Sequence, residues 1–276
     1  MLQTFPTLNL DDGLQTKWQV LQERLAGLGS AIVAFSGGVD SSLLAVVAHR
    51  VLAPRMLAVT IRSQVETAGL MDFARALSEQ FGFPHQFVEY DKLQDPKYVE
   101  NTPNRCYVCK SVDLGMISEI ARQVGIQHVL MGANADDLGE YRPGLKAAAE
   151  LNVLNPLAEA GLAKREVRIL SRELGIPNWN RPSSPCLASR IPYGTAVTRE
   201  KLEQIAQGEA YLRALNFGVV RVRNNGPTAK IEVAPDDVLR LVQLREMIVG
   251  YFKQIGFKYV TLDLEGYRSG ALNEVI

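Results

Sequence analysis

The sequence predicts an α/β fold: a parallel sheet with helices on both faces over residues 1–182, followed over residues 183–276 by a small α+β domain. Three observations predict it. Short apolar runs rich in β-branched residues alternate with helical patterns as far as residue 174. Those runs lack the polar alternation of a half-exposed strand, so both of their faces are covered, as in a parallel sheet. Beyond the loop "SSPCLASRIPYGTAV" the order changes to helix, strand, strand, helix, strand, which calls for a second, separate sheet.

In chain order, "LQTKWQVLQERLAGLG" reads as an amphipathic helix closed by its glycines. "AIVAF" is a strand and "SSLLAVVAHRVL" the helix after it. "MLAVTI", "HQFVEY" and "HVLMGA" supply three more strands, with "GLMDFARALSEQFG" and "SVDLGMISEIARQVG" as the intervening helices. "KREVRILSREL" ends this region as a helix closed by "GIPNWNRP". Then come a helix from about Thr198, the strand "VVRVR", the turn "NNGPT", the strand "AKIEV", a long helix from Pro235 and a last strand "YVTLDL". Ligands of open parallel sheets bind at the C-terminal ends of the strands, so the loops after "AIVAF", "HQFVEY" and "HVLMGA" are the places where chemistry is expected.

Composition narrows the class. The chain of 276 residues is 47% hydrophobic and 22% charged, ordinary for a protein that buries a core. Lys+Arg and Asp+Glu both number 30, so no overall charge draws it toward nucleic acid or an anionic membrane. "MLQTFPTLNLDDGLQ" has neither the basic start nor the apolar core of a secretory signal, and a cytoplasmic enzyme is the expectation. Three cysteines in a reducing compartment argue against a disulfide framework and for metal or thiol chemistry.

"AIVAFSGGVDSSLL" is the strongest motif. A strand runs into Ser36, Gly37, Gly38, Val39, Asp40 and Ser41, and a helix starts at once. Two glycines let backbone N–H groups converge, the flanking hydroxyls add donors, and the helix N-terminus adds partial positive charge. The product is an anion cradle. Asp40 would repel a bare phosphate, so its expected partner is a magnesium ion bridging phosphate oxygens. The loop lacks the G-x-x-x-x-G-K-[ST] spacing and its lysine. A plain Gly-Gly turn with a capping side chain is the bland alternative.

"SGGVDS" resembles the signature of the PP-loop ATP pyrophosphatases, the adenylating superfamily of GMP and NAD synthetases, asparagine synthetase and tRNA-thiolating enzymes. The resemblance implies an adenine nucleotide α-hydrolase-like fold, a loop that holds the β,γ-pyrophosphate, and AMP and pyrophosphate as products. The chain carries neither a glutaminase domain's length nor an N-terminal nucleophilic cysteine, and its zero net charge argues against an RNA substrate.

The stretches "NTPNRCYVCK", "MGANADDLGEYRPGLKAA", "NWNRPSSPCLASRIPYG", "VRVR" and "YVTLDLEGYRSG" together resemble the LarE family. Its members insert sulfur into pyridinium-3,5-dicarboxylate mononucleotide during assembly of the nickel-pincer nucleotide cofactor. The resemblance implies ATP and Mg2+, a carboxyl adenylate, a small-molecule nucleotide substrate, no nucleic-acid or membrane partner, and a homo-oligomer. It does not name the sulfur donor. In single-cysteine members the cysteine matching Cys186 gives up its own sulfur and becomes dehydroalanine. This chain also has Cys106 and Cys109, three residues apart, and three thiolates suit a [4Fe-4S] cluster with one iron open to carry a sulfide. Both readings stand at this point, beside zinc, a redox pair ahead of a helix and plain structural thiols; His49, His85 and His128 fall in or beside predicted elements and make poor zinc ligands. Transfer RNA thiolation by the same adenylation, and a non-catalytic nucleotide- or metal-binding module, are the other functions considered.

Further residues are candidates on chemistry. Asp136 and Asp137 in "GANADD" lie at the ligand edge of the sheet, for magnesium or the nucleotide. Arg142, between glycine and proline in "GEYRPG", suits a carboxylate or phosphate. Arg190, four residues after Cys186, is expected beside that thiolate or on the substrate's acid groups. Arg221 and Arg223 alternate along a strand, so both point to one face and suit a nucleotide monophosphate. Lys110, directly after Cys109, matches a lysine of the family motif, and Trp179 reads as packing.

Overall fold

A computed structural model describes residues 5–67, 69–139 and 143–268. The chain forms two compact units, one from Met1–Arg62, Gly69–Tyr90 and Cys106–Ser184, the other from Ser63–Ala68, Asp91–Arg105 and Pro185–Ile276. The second unit therefore takes in two segments that lie, in sequence, among the strands and helices of the first.

The first unit opens with α1 (Asp12–Leu28), whose free N–H groups are capped by the Asp11 carboxylate accepting from Leu14 N at 2.8 Å. Leu14, Trp18, Leu21 and Leu25 recur at helical spacing and are buried. Burial of each such leucine contributes about 1.5–3 kcal/mol. Then follow β1 (Ala31–Ala34), α2 (Val39–Leu52), β2 (Met56–Arg62), α3 (Leu70–Phe81) and β3 (His85–Glu89). After the short α4 (Pro96–Val99), which belongs to the second unit, come α5 (Arg105–Gln123), β4 (His128–Met131), α6 (Pro143–Glu150), α7 (Pro156–Glu159) and α8 (Lys164–Glu173).

The four strands pair in parallel in the order β3-β2-β1-β4, and Leu154 bridges to Leu130 beyond β4. Ala31 and Val33 of β1 face a core built with α1, α2 and α8, while Ile32 faces a second core with Leu114, Ile117 and Ala121 of α5. Alternation along one strand thus feeds both layers. The covered parallel sheet expected from sequence is the observed one.

Beneath this sheet, Thr60 donates its hydroxyl to the Phe35 carbonyl and lies 2.8 Å from His85 Nε2. With that proton spent on a carbonyl, Nε2 is the donor of the pair. Burial, followed by the nearby Arg75 charge, pushes the His85 pKa down from 6.5 to about 4. The unfolded chain then binds a proton near pH 6.5 that the folded chain refuses until about pH 4. Conformational stability is expected to be level in this respect above pH 6.5 and to decline as pH falls from there toward 4. Denaturant unfolding of the parent and of His85→Gln across this range checks it: the variant should show a shallower decline.

In the second unit, α9 (Arg199–Ala214) is capped by Thr198, whose hydroxyl accepts from Lys201 N. It leads to the antiparallel pair β5 (Val220–Asn225) and β6 (Thr228–Val233), then α10 (Val238–Gln243), α11 (Arg245–Gln254) and β7 (Tyr259–Leu262), which joins β6 in parallel. Val220, Val222, Ile231 and Val233 pack with Leu212, Ile248 and Phe252 of the helices. Two expectations need correcting. The single long helix from Pro235 is a 3-10 turn followed by two helices that break at Leu244, where ψ is 10°. The helix expected from Ser111 already begins at Arg105, so Cys106 and Cys109 lie inside it rather than ahead of it. Among the described residues, no helix is long and apolar enough to cross a membrane.

Candidate active site

The strand order places the reversal of the sheet between β1 and β4, and a crevice opens at the C-terminal ends of strands at such a point. The loop after β1 and the loop after β4 meet there. Ser36, Gly37, Gly38, Asp40 and Ser41, expected to form one cradle, do lie together at the start of α2. Ser36 Oγ and Ser41 Oγ are 3.0 Å apart, and Ser41 Oγ also donates to Gly38 O at 3.2 Å. Gly37 has φ +73°, a backbone setting that L side chains resist. Gly132, just past β4, runs so close to α2 that a Cβ there would stand 2.8 Å from Ser41 N. Glycine at 132 is what lets the two loops meet.

Asp40 is the centre of the charged network. Its Oδ1 accepts from Asn134 Nδ2 at 3.1 Å, and its Oδ2 accepts from Lys164 Nζ, the first residue of α8. The Asn134 side chain is set in turn by its neighbours: Asp137 Oδ2 accepts from Asn134 N at 3.0 Å, and Asn134 Oδ1 accepts from Asp136 N at 3.0 Å. Asp136 Oδ2 also accepts from Lys164 N at 2.9 Å, capping α8. Asp136 and Asp137, expected at magnesium or the nucleotide site, brace the loop beside Asp40 and cap a helix.

Asn134, Lys164 and Asn178 were not among the sequence candidates. Asn178 Nδ2 donates to Gly37 O at 3.0 Å and to Ser42 Oγ at 3.1 Å. A lysine that can meet phosphate is therefore present after all, delivered by α8 rather than by the loop itself. The one sequence signal for it is a lysine at the first position of a helix, where a cation is unfavourable against the helix dipole and so needs a reason.

On α5, Cys106 is exposed and Cys109 half-buried, neither in a disulfide and the two one helical turn apart. Cys109 Sγ lies 3.6 Å from Asp113 Oδ2. Lys110 packs its stem against α6, where a Cβ on Gly144 would come within 3.0 Å of Lys110 Cγ. Arg142 lies outside the described residues. Among the described residues, no three His, Cys, Asp or Glu side chains gather as metal ligands do.

In the second unit Cys186, a half-buried free thiol, stands at the start of the 3-10 turn Leu187–Arg190. Its loop is held from several sides. Arg190 NH1 donates to Pro185 O at 2.6 Å, Cys186 O at 3.0 Å and Ser189 Oγ at 2.9 Å. Arg105 NH1 donates to Ala188 O at 2.9 Å, and Leu187 N to Val65 O at 2.7 Å. Asn101, at φ 58°, donates Nδ2 to Pro192 O and Thr195 O, each at 2.8 Å.

Arg190 itself is fully buried, with Nε on Glu209 Oε1 at 2.8 Å and NH2 on Oε2 at 3.3 Å. Expected beside the Cys186 thiolate or on the substrate's acid groups, it is in contact with the loop backbone at Cys186 and with a buried carboxylate. Arg221 and Arg223 do share a face of β5, with Glu232 opposite Arg221 and Lys230 opposite Arg223 on β6. Arg223 forks onto both Glu232 oxygens at 2.8 Å and reaches Ser189 O at 2.9 Å. Arg221 lies over the Tyr267 ring at 4.8 Å, and burial, then the charge of Arg190, lowers its pKa.

Comparison with known proteins agrees with the fold. The asparagine synthase family matches over residues 20–140, the segment that contains the cradle. An uncharacterized protein of Synechocystis sp. is 42% identical over 265 residues, covering 95% of this chain and 99% of that protein. A glutamine-hydrolyzing GMP synthase component of Pyrococcus furiosus is 29% identical over 201 residues, 67% of this chain and 63% of that protein. The pyridinium-3,5-bisthiocarboxylic acid mononucleotide synthase of Lactiplantibacillus plantarum is 38% identical over 264 residues, 95% of this chain and 96% of that enzyme. With that identity sustained from end to end of both proteins, and with the glycine loop set at the switch point of a parallel sheet, the chain belongs to the LarE family of PP-loop enzymes.

Proposed function

We propose that this protein is an ATP-dependent sulfurtransferase that converts a carboxylate of pyridinium-3,5-dicarboxylate mononucleotide into a thiocarboxylate. The observation that carries the reading is the cradle Ser36–Ser41 with Lys164, Asn134 and Asp40 beside it, in a chain 38% identical to a synthase of that product class. The first unit is assigned the ATP chemistry, and the second the substrate and sulfur-transfer loop.

ATP enters as its magnesium complex. A substrate carboxylate oxygen attacks the α-phosphorus, the bond from that phosphorus to the bridging oxygen breaks, and pyrophosphate leaves with both electrons of the bond. The backbone donors of residues 36–41 and the Lys164 ammonium stabilise the charge that collects on it. Asp40, already held between Lys164 and Asn134, can orient the ammonium or receive the metal of the incoming complex.

The acyl adenylate is then open to a sulfur nucleophile, with AMP as leaving group. In the step written from this chain's own residues, the Cys186 thiolate attacks the carbonyl carbon and AMP departs. Loss of the Cys186 α-proton and cleavage of its Cβ–S bond release the thiocarboxylate and leave dehydroalanine. Cys106, Cys109 and Cys186 are thiols of the type that would hold an iron–sulfur cluster, which would supply the sulfur and spare Cys186. Arg221 and Arg223 are the candidates for the substrate's phosphate.

Pyrophosphate release should require the pyridinium dicarboxylate and be absent with tRNA; dependence on tRNA instead would overturn the substrate assignment, and release with neither would leave a non-catalytic module. Intact mass after one turnover decides the sulfur source. A polypeptide lighter by one hydrogen sulfide marks Cys186 as donor, whereas unchanged mass with product formed assigns the sulfur to a reloadable three-thiolate centre.

A further inference from the structure

We infer that Asn178 is a positioning residue for the glycine loop, holding the Gly37 carbonyl so that the Gly38 N–H is aimed at the pyrophosphate of bound ATP. This rests on the reading of residues 36–41 as the ATP site. Asn178 comes from the segment after α8 and is 4% exposed. Its amide orientation is fixed by chemistry: Gly37 O only accepts, so the group facing it at 3.0 Å is Nδ2.

The peptide between Gly37 and Gly38 is trans, and in a trans peptide the C=O and the N–H point to opposite sides. A carbonyl anchored on Asn178 therefore turns the Gly38 N–H away from Asn178. That N–H meets Ser36 Oγ at 3.4 Å, a long bond that a charged phosphate oxygen would outcompete.

An anchor is needed because a peptide flanked by two glycines turns over readily. A flipped peptide would present the carbonyl dipole, negative end first, to a polyphosphate. Nδ2 also reaches Ser42 Oγ at 3.1 Å, on the first turn of α2, so one amide ties the loop to its helix. The segment that starts with Lys164 thus grips the cradle twice, by Lys164 on Asp40 and by Asn178 on Gly37.

A second observation separates this role from plain packing. Among the described residues, Asn178 Oδ1 is buried with no hydrogen-bond partner. A buried acceptor left unsatisfied works against stability. The amide is kept for its donor side, and its removal should cost binding more than folding.

The test uses the full-length protein. Calorimetric binding of MgATP, steady-state pyrophosphate release and thermal melting are compared for the parent, Asn178→Ala and Asn178→Asp. In the aspartate variant an acceptor faces the Gly37 carbonyl at the same size. We expect it to weaken MgATP binding roughly tenfold or more, the loss of one charge-assisted donor, and more than alanine does. The KM for ATP should rise more than kcat falls, with melting within a few degrees of the parent in the alanine variant. Parent-like MgATP binding in both variants, or loss of binding only in step with loss of melting temperature, would overturn the inference. A parent that binds no MgATP would instead overturn the ATP-site reading beneath it.

Discussion

Replacing Glu209 with alanine is expected to destabilise the second unit by about 3–5 kcal/mol, the range for a buried ion pair that loses one partner. Glu209 and Arg190 are both fully buried. The carboxylate accepts from Arg190 at 2.8 and 3.3 Å, from Arg213 NH2 at 2.6 Å and from Val222 N at 3.4 Å. Without it, the Arg190 guanidinium stays in a dry site with only neutral oxygens around it. The Arg221 charge, already disfavoured by burial and by Arg190 and Arg213, loses one of the two neighbours, Glu209 and Tyr267, that favour it. Glu209→Gln keeps the shape and part of the acceptor set, so its loss should be smaller. Denaturant unfolding of the three proteins checks the order. A second consequence follows for chemistry: Arg190 fastens the carbonyls on either side of Cys186, so a loosened Arg190 should lower thiocarboxylate formed per AMP released, measured in the glutamine variant where the fold survives.

Local sequence carried the parts of this site that are local. The glycine loop was legible because the strand, the two glycines, the hydroxyls and the helix start occupy consecutive positions. The parallel sheet was legible because its strands are apolar on both faces. The other half of the cradle was not. Asn134, Lys164 and Asn178 reach their partners across 94, 124 and 141 residues, and which distant polar side chain arrives is decided by the strand order. Gly132 shows the same limit: its need for glycine comes from the approach of α2, which nothing in "MGANADD" reveals. The buried partner of Arg190 was not legible either, because Glu209, 19 residues away on α9, leaves no local trace. The family resemblance supplied what spacing could not, the reaction class, and the 38% identity to the synthase agrees with it.

Lys164→Ala is expected to lower kcat for pyrophosphate release by roughly 10²-fold, the scale for removal of one preorganised group that meets developing negative charge. Folding should be little affected, since the Lys164 and Asp40 side chains are 36% and 20% exposed and such pairs contribute at most about 1 kcal/mol. Lys164→Arg keeps the charge but is longer and planar, so it should recover only part of the rate. The pair also decides what Asp40 does. If Asp40 serves chiefly to orient the ammonium, Asp40→Asn should resemble Lys164→Ala in rate, with an unchanged magnesium requirement. If it receives the metal of the nucleotide complex, Asp40→Asn should raise the magnesium concentration needed for half-maximal rate while Lys164→Ala does not. Because Asp40, Lys164 and Asn134 act as one hydrogen-bonded group, the double variant should be only slightly slower than the worse single one, and a fully multiplicative loss would show that lysine and carboxylate work independently.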